Sequence, residues 1–152
     1  MASRRLLVDR VLAVAWRSPE LEDLEAITDV LYDQSTRQGR KLLYVSVIGP
    51  KALPEGTVRD ALVDFYRQVL SYCDSLHVVI EGNDFDTSFK RSVIANVLLV
   101  VQGHGRVFIE NSLERVRAVA PLDVRVELDR AVQEANAQRL FDYARSEPPP
   151  PG

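Results

Sequence analysis

The segment EGNDFDTS, residues 81–88, holds the densest group of side chains that could do chemistry. Asp84 and Asp86 form an Asp-x-Asp pair after an apolar run; in phosphatases with such a pair the first carboxylate attacks phosphorus and the second transfers protons beside Mg²⁺. The motif of those enzymes places a threonine two residues after the second aspartate, whereas Thr87 follows Asp86 directly. The spacing therefore favours a helix start, capped by Asp86 or Thr87, over a small Mg-dependent phosphatase-like hydrolase using Asp84 and Asp86.

A second group of candidate residues is cationic. Lys51 lies in the loop after a predicted strand, and Lys90 and Arg91 lie in the first turns of a predicted helix. In α/β sheets, ligands collect beyond the carboxyl ends of the strands, where these three side chains are expected. They predict, as an alternative function, a sensor domain for a small ligand or anion.

The histidines and the cysteine indicate no catalytic centre. His77 is predicted within a strand and His104 in a Gly-His-Gly turn, and their separation matches no standard metal-ligand spacing. Cys73, the only cysteine, is predicted to be a packing residue late in a helix, because no base accompanies it. We therefore expect a protein that is not an enzyme and has no catalytic residue, no metal and no cofactor.

The bulk properties are typical of one globular domain. The 152 residues are 46% hydrophobic and 27% charged, which is enough to bury a core. The net charge of −3 gives no basic footprint and argues against nucleic acid as a partner. The opening MASRRLLVDR is broken by Asp9 and Arg10, unlike a signal peptide, and the longest apolar run, residues 97–101, is far shorter than a membrane span. We expect a cytoplasmic protein without membrane insertion.

Strands and helices alternate along the chain. Apolar runs predict strands over residues 6–8, 11–16, 42–48, 76–81 and 106–110. Helical spacing, with capping residues and terminating glycines, predicts three helices. The first ends at Gly39, the second begins at Thr57 and the third covers residues 87–102. This order predicts an α/β fold with a mainly parallel sheet of four to five strands.

The third predicted helix is apolar over about half of its circumference. Its apolar residues are Phe89, Val93, Ile94, Val97, Leu98, Val100 and Val101. One face of a sheet covers less surface than that. We expect either a central helix wedged between the sheet and neighbouring helices, or a homodimer contact.

The C-terminal part of the chain is predicted to be an extra amphipathic helix. One apolar stripe consists of Val124, Leu128, Ala131, Val132 and Ala135. This stripe can dock back on the domain or onto a partner. The predicted organisation is a domain over residues 1–120, a helical extension over 121–145 and a proline-rich tail over 146–152.

The order of these segments resembles the STAS-like fold of anti-sigma-factor antagonists and of sulphate-transporter regulatory domains. The likeness covers roughly residues 6–120 and rests on VLAVAWRS, LLYVSVI, LHVVIEG, RSVIANVL and RVFIENSLERVRA, taken in order. It is closest to a variant group of bacterial STAS-like proteins. In the phosphorylated members, a partner kinase modifies a hydroxyl residue at the start of the second helix, within an Asp-Ser-Ser-Gly-like motif. That motif is absent here, and in the loop GPKALPEGT the only hydroxyl belongs to Thr57, so helix capping is the favoured role of Thr57.

The resemblance implies a non-enzymatic regulatory module that acts through protein–protein contact in a bacterial cytoplasm. The implied partner is a regulator, a kinase or a receptor. We expect its interface around Thr57 and Arg59, together with the C-terminal helix. Phosphorylation of Thr57 and homodimer formation stay open as alternatives.

Overall fold

The computed structural model describes residues 3–17, 20–39, 41–49, 56–81, 85–101 and 105–145. Within them, five strands form one sheet: β1 (Ser3–Val8), β2 (Val11–Trp16), β3 (Leu42–Ile48), β4 (Cys73–Val79) and β5 (Val107–Glu110). The strands lie side by side in chain order, with β1 antiparallel to β2 and all later neighbours parallel. The predicted α/β fold with a mainly parallel sheet is therefore confirmed.

The described residues also form six α-helices. They are α1 (Leu21–Gln38), α2 (Gly56–Tyr72), α3 (Phe85–Val101), α4 (Leu113–Val119), α5 (Arg125–Ala137) and α6 (Leu140–Arg145), with a 3₁₀ turn at Leu122–Val124. Helix α1 ends, as predicted, at Gly39, which adopts the left-handed conformation with φ of 61°. Ser112 caps α4 by accepting a hydrogen bond from the amide of Arg115. None of the helices in this part of the chain is both long enough and apolar enough to cross a membrane.

Helices α1, α2 and α3 cover one face of the sheet, and we call them the first layer. Each connects two neighbouring parallel strands, and right-handed crossovers that step in one direction place their helices on the same face. The core of this layer includes Leu12, Val14, Trp16, Leu24, Ile27, Leu31, Tyr44, Leu62, Phe65, Val69, Leu76, Val78, Ile94 and Val97. The strand–helix alternation thus builds half of the molecule.

Helices α4, α5 and α6 cover the opposite face, and we call them the second layer. Their core includes Val11, Ala13, Ala15, Leu43, Val45, Val47, Val79, Val116, Val124, Leu128, Ala131, Leu140 and Phe141. Because helices cover both faces, β2 is buried at all six of its positions and β3 at six of seven. The central strands therefore read as continuous apolar runs in the sequence.

Ion pairs attach the second layer to the sheet. Arg10, in the turn between β1 and β2, donates its Nε to Glu127 at 3.0 Å and its Nη1 to Asp123 at 3.1 Å. Arg145, at the end of α6, forms a bidentate pair with Glu81 just after β4, at 2.8 and 3.0 Å. These contacts join α5 and α6 to opposite ends of the strands.

Three predicted positions in helices differ from the structure. Helix α2 begins one residue before Thr57, so Thr57 lies in the first turn and is not the N-cap. Helix α3 begins one residue before Asp86, so Asp86 and Thr87 also lie inside the helix and cannot be its cap. Cys73, predicted late in a helix, is the first residue of β4, because no residue separates β4 from α2. Its side chain is buried in the first-layer core, which confirms its predicted packing role.

Helix α3 is an edge helix, and its predicted central position is wrong. Because strand order follows chain order, α3 crosses from β4 to β5 at the end of the sheet, and α2 is its neighbour in the first layer. Ile94, Val97 and Leu98 of its apolar surface are buried, whereas Leu99 is 74% exposed. A homodimer through this helix stays a prediction.

Candidate functional site

A groove lies between the first half of α1 and the middle of α2, on the outer side of the first layer. It has a volume of about 440 Å³ and is open to solvent. Nine residues line it: Leu21, Leu24, Glu25, Thr28, Asp29, Ala61, Asp64, Phe65 and Gln68. All nine residues belong to the two helices, so the groove is formed between helices and not at the ends of the strands.

The floor of the groove is apolar and its rim is acidic. Leu24 and Phe65 belong to the first-layer core and are almost fully buried. Glu25, Asp29 and Asp64 are exposed carboxylates on the rim. Neither Lys nor Arg occurs among the nine lining residues. The groove therefore combines apolar contact with attraction for positive charge.

The α2 side of the groove continues toward the position of Thr57. Thr57 stands four residues before Ala61 and eight before Phe65, a spacing that places the three positions on one face of α2. Position 59 lies about 200° further round the helix axis, on a different face. Positions 57 and 59 thus lie on different faces of α2.

The predicted anion-binding residues are only partly described. Lys51 lies outside the described residues, as does Asp84 of the Asp-x-Asp pair. Lys90 and Arg91 lie in the second turn of α3. Arg91 donates its Nε and Nη2 to the carbonyl of Ile80, at 3.3 and 3.0 Å, and so joins α3 to the end of β4. An anion site at these residues stays a prediction.

A buried hydrogen-bonded chain crosses from β4 to β5 on the second-layer side of the sheet. His77 is fully buried, with its Nδ1 3.0 Å from Oε1 of Glu110 and its Nε2 2.9 Å from Oγ of Ser75. Its ring stacks on Phe108, with centroids 5.0 Å apart. When Nδ1 carries the proton and donates it to Glu110, Nε2 is free to accept from the Ser75 hydroxyl. The order hydroxyl, imidazole, carboxylate is that of a nucleophile with its base.

Burial limits what this chain can do. Ser75 is only 4% exposed, so the hydroxyl that would attack a substrate is covered in the described structure. The second carboxylate oxygen of Glu110 is buried and has no hydrogen-bond partner among the described residues. The three side chains therefore form a hydrogen-bonded link between β4 and β5, since buried polar groups need hydrogen-bond partners.

The sequence analysis assigns no chemical partner to His77, and the structure supplies two. Ser75 and His77 are two residues apart on a strand, and this spacing places both side chains on one face of the sheet. Glu110 meets His77 because β5 pairs with β4, which no local pattern predicts. The Ser-x-His spacing was thus the only available signal.

The remaining titratable groups indicate no metal site or reactive thiol. In the part of the chain that the structure describes, no group of three or more His, Cys, Asp or Glu side chains could hold a metal ion. Burial raises the pKa of the Cys73 thiol well above its ordinary value, so the thiol stays protonated at neutral pH.

Comparison with known proteins gives no relative of this chain. No protein-family model matches it, and neither curated proteins nor solved structures give a match. The STAS-like resemblance therefore stays an expectation from the order of segments, and a functional conclusion has to come from the geometry described above.

Proposed function

We propose that this chain is a non-enzymatic regulatory module of the STAS-like type, which binds a protein partner in a bacterial cytoplasm. The partner is a regulator, a kinase or a receptor. The observation that carries the proposal is the open groove between α1 and α2, with its apolar floor and charged rim. The order of elements, a hairpin followed by strand–helix repeats, supports the STAS-like type.

The groove suits a protein partner because its two walls are helices. Amphipathic helices commonly bind in grooves between helices, where apolar side chains enter the floor and polar ones meet the rim. Leu21, which also lines the groove, is 48% exposed and adds apolar surface that a partner can cover. Thr57 occupies a position on the same face of α2, so a phosphate added there would change the charge of this surface.

The two alternative functions have less support. An anion sensor needs converging cations, and among the described candidates Arg91 is already bonded to Ile80. The phosphatase-like hydrolase depends on Asp84 and Asp86, and Asp84 lies outside the described residues, so that function stays a prediction. Ser75, which has a base and a carboxylate in line, is buried and offers no accessible nucleophile.

The proposal is tested by capturing partners from bacterial lysate with the tagged chain and two matched variants. Gln68→Trp fills the groove, and Gln133→Trp places the same side chain on the exposed face of α5, in the opposite layer. We expect a stoichiometric protein partner with the natural chain and with Gln133→Trp, and none with Gln68→Trp. Mass spectrometry of the captured chain tests for phosphate on Thr57.

The possible contrary results have distinct meanings. If no protein is retained by any of the three chains, the interaction function is wrong. If Gln68→Trp retains the partner as well as Gln133→Trp does, the function stands and the interface lies elsewhere.

A further inference from the structure

We propose that the groove between α1 and α2 binds an amphipathic helix that is apolar on one side and carries Lys or Arg beside that apolar stripe. The proposal rests on the interaction function proposed above and gives the partner's chemistry. It follows from the shape of the groove, from its apolar floor and from its acidic rim.

The shape sets the kind of segment that fits. Leu21 to Asp29 on one wall and Ala61 to Gln68 on the other each span about two helical turns. Side chains of a third helix spaced three or four residues apart can enter such a groove in succession. The volume of 440 Å³ accommodates several apolar side chains of the partner rather than a whole helix. The partner helix therefore lies on the groove and inserts one stripe.

The floor supplies the apolar contact. Phe65 and Leu24 form its base, and Ala61 fills little of the groove because its side chain is a single methyl group. Leu21 extends this apolar surface outward to solvent. Covering it removes apolar area from water, which is the usual source of affinity in helix-in-groove binding.

The rim determines the sign of the partner's charge. Glu25 and Asp29 are exposed and have no ion-pair partner among the described residues. Asp64 is 3.6 Å from Arg67, one turn along α2, and both side chains are more than half exposed, so that pair is weak and screened by salt. Three carboxylates around an apolar floor repel an acidic segment and attract a basic one.

The experiment measures binding of two labelled synthetic peptides to the full chain by fluorescence anisotropy. Both peptides have about four helical turns with leucine on one face. One carries lysine at the flanking positions and the other carries glutamate there. The protein is compared with Glu25→Gln/Asp29→Asn, with Gln68→Trp and with Glu114→Gln, which removes one charge from α4 in the opposite layer.

We expect the lysine peptide to bind the natural chain and the Glu114→Gln variant equally, and the glutamate peptide to bind neither. Each neutralised carboxylate should weaken binding of the lysine peptide by about twofold to fivefold at low salt. The double variant should therefore bind this peptide about tenfold more weakly. Added salt should reduce this difference. Gln68→Trp should abolish binding to the groove.

Three results would overturn the inference. Equal binding of the two peptides would show that the rim does not select charge. Equal binding by the double variant would show that the lysine peptide binds elsewhere. If the chain alone is a dimer that Gln68→Trp converts to a monomer, the occupant is a second copy of this chain. The capture of a lysate partner is independent of these results, so the proposed function can survive the failure of this one.

Discussion

The two helical layers cover the same sheet but are held to it in different ways. Each helix of the first layer lies between two parallel strands in the chain, so both of its ends are fixed by the strands it connects. The three helices of the second layer all follow β5, and no described strand comes after them. Chain connection positions the first layer, whereas side-chain contacts must position the second.

The contacts of the second layer match this requirement. Arg10 has a side chain only 5% exposed and reaches both Asp123 and Glu127. Near α6, the guanidinium groups of Arg4 and Arg17 lie 4.4 and 4.0 Å from the ring centre of Tyr143. Such cation–π contacts stabilise a partly buried aromatic ring. Arginine side chains from the β1–β2 hairpin and from the segment after it thus fix the position of the second layer on the sheet.

Among the described residues, the core of the first layer has fewer charged contacts. Trp16 donates its Nε1 to the hydroxyl of Tyr44 at 3.3 Å, and both groups are neutral. Asp23 is a buried carboxylate of this layer; it accepts a hydrogen bond from the hydroxyl of Ser3 at 2.8 Å, and no cation among the described residues pairs with it. We therefore expect that removing a charge or crowding a close contact lowers stability more in the second layer than in the first.

The largest effect is expected from ending the chain after Pro121. This removes α5 and α6 and exposes the apolar face of the sheet around Ala13, Val45 and Val47. We expect the shortened chain to lose cooperative thermal unfolding and to aggregate in size-exclusion chromatography, because large exposed apolar patches promote aggregation. Ending the chain after Arg145 removes only residues 146–152 and should leave unfolding unchanged. A shortened chain that stays monomeric and unfolds cooperatively would show that residues 1–120 are an independent domain, as the sequence predicts.

The next largest effect is expected from Arg10→Met, which keeps an unbranched apolar stem and removes the charged guanidinium group. Glu127, with a side chain 19% exposed, then loses its ion pair with Arg10. We expect a loss of about 3 kcal/mol in the free energy of unfolding, near the lower end for a broken buried pair, because Asp123 remains more than half exposed. Urea unfolding measures the loss.

Two further variants test the cause of that loss. Arg117→Met removes an exposed pair with Asp129 in the same layer, and little change is expected. Arg10→Met combined with Glu127→Leu removes both partners and should recover part of the loss. If Arg10→Met and Arg117→Met behaved alike, the ion pairs would not be what holds the second layer.

A smaller effect is expected from Gly49→Ala, at the end of β3. A methyl group there would collide with the backbone carbonyl of Ala144 in α6 and would lie 3.0 Å from the carbonyl of Trp16. Since neither obstacle is a flexible side chain, we expect a loss of about 2 kcal/mol. Gly39→Ala, in open space at the end of α1, should cost about 1 kcal/mol through its positive φ alone. A smaller loss at Gly49 than at Gly39, by urea unfolding, would contradict the close contact between β3 and α6.

The same contrast explains what could be predicted from the sequence. Alternating apolar runs and helical stripes predict the first layer because they are local patterns. The stripe of Val124, Leu128, Ala131 and Ala135 also predicts a helix, and all four residues are buried. No local pattern, however, indicates which surface that helix covers, because contacts such as Arg10 with Glu127 join residues far apart in the chain.

The candidate site is predictable to a lesser degree. Glu25 and Asp29 are four residues apart in a predicted helix, a spacing that places both on one face but indicates no site by itself. That they form a groove with Asp64 depends on the spacing of α1 and α2, which is set by the strands beneath them. The glycine and proline residues before Thr57 indicate that α2 starts near this position, but they do not indicate which face of the helix lines the groove.

The smallest effect is expected from alkaline pH, and it belongs to the first layer. Burial raises the pKa of Tyr66 far above its ordinary value of 10.0, so the folded chain keeps the proton that the unfolded chain releases as pH rises past that value. Stability is therefore unaffected well below pH 10 and falls above it; at pH 10 the loss from this group is about 0.4 kcal/mol. Urea unfolding gives the free energy of unfolding at pH 8 and at pH 10, and Tyr66→Phe should remove that part of the difference between the two values. Tyr32→Phe, at a position 57% exposed, should not. The same alkaline loss in Tyr66→Phe and in the natural chain would mean that the Tyr66 hydroxyl reaches water in the folded state, and that the first layer is less closed around it than its packing implies.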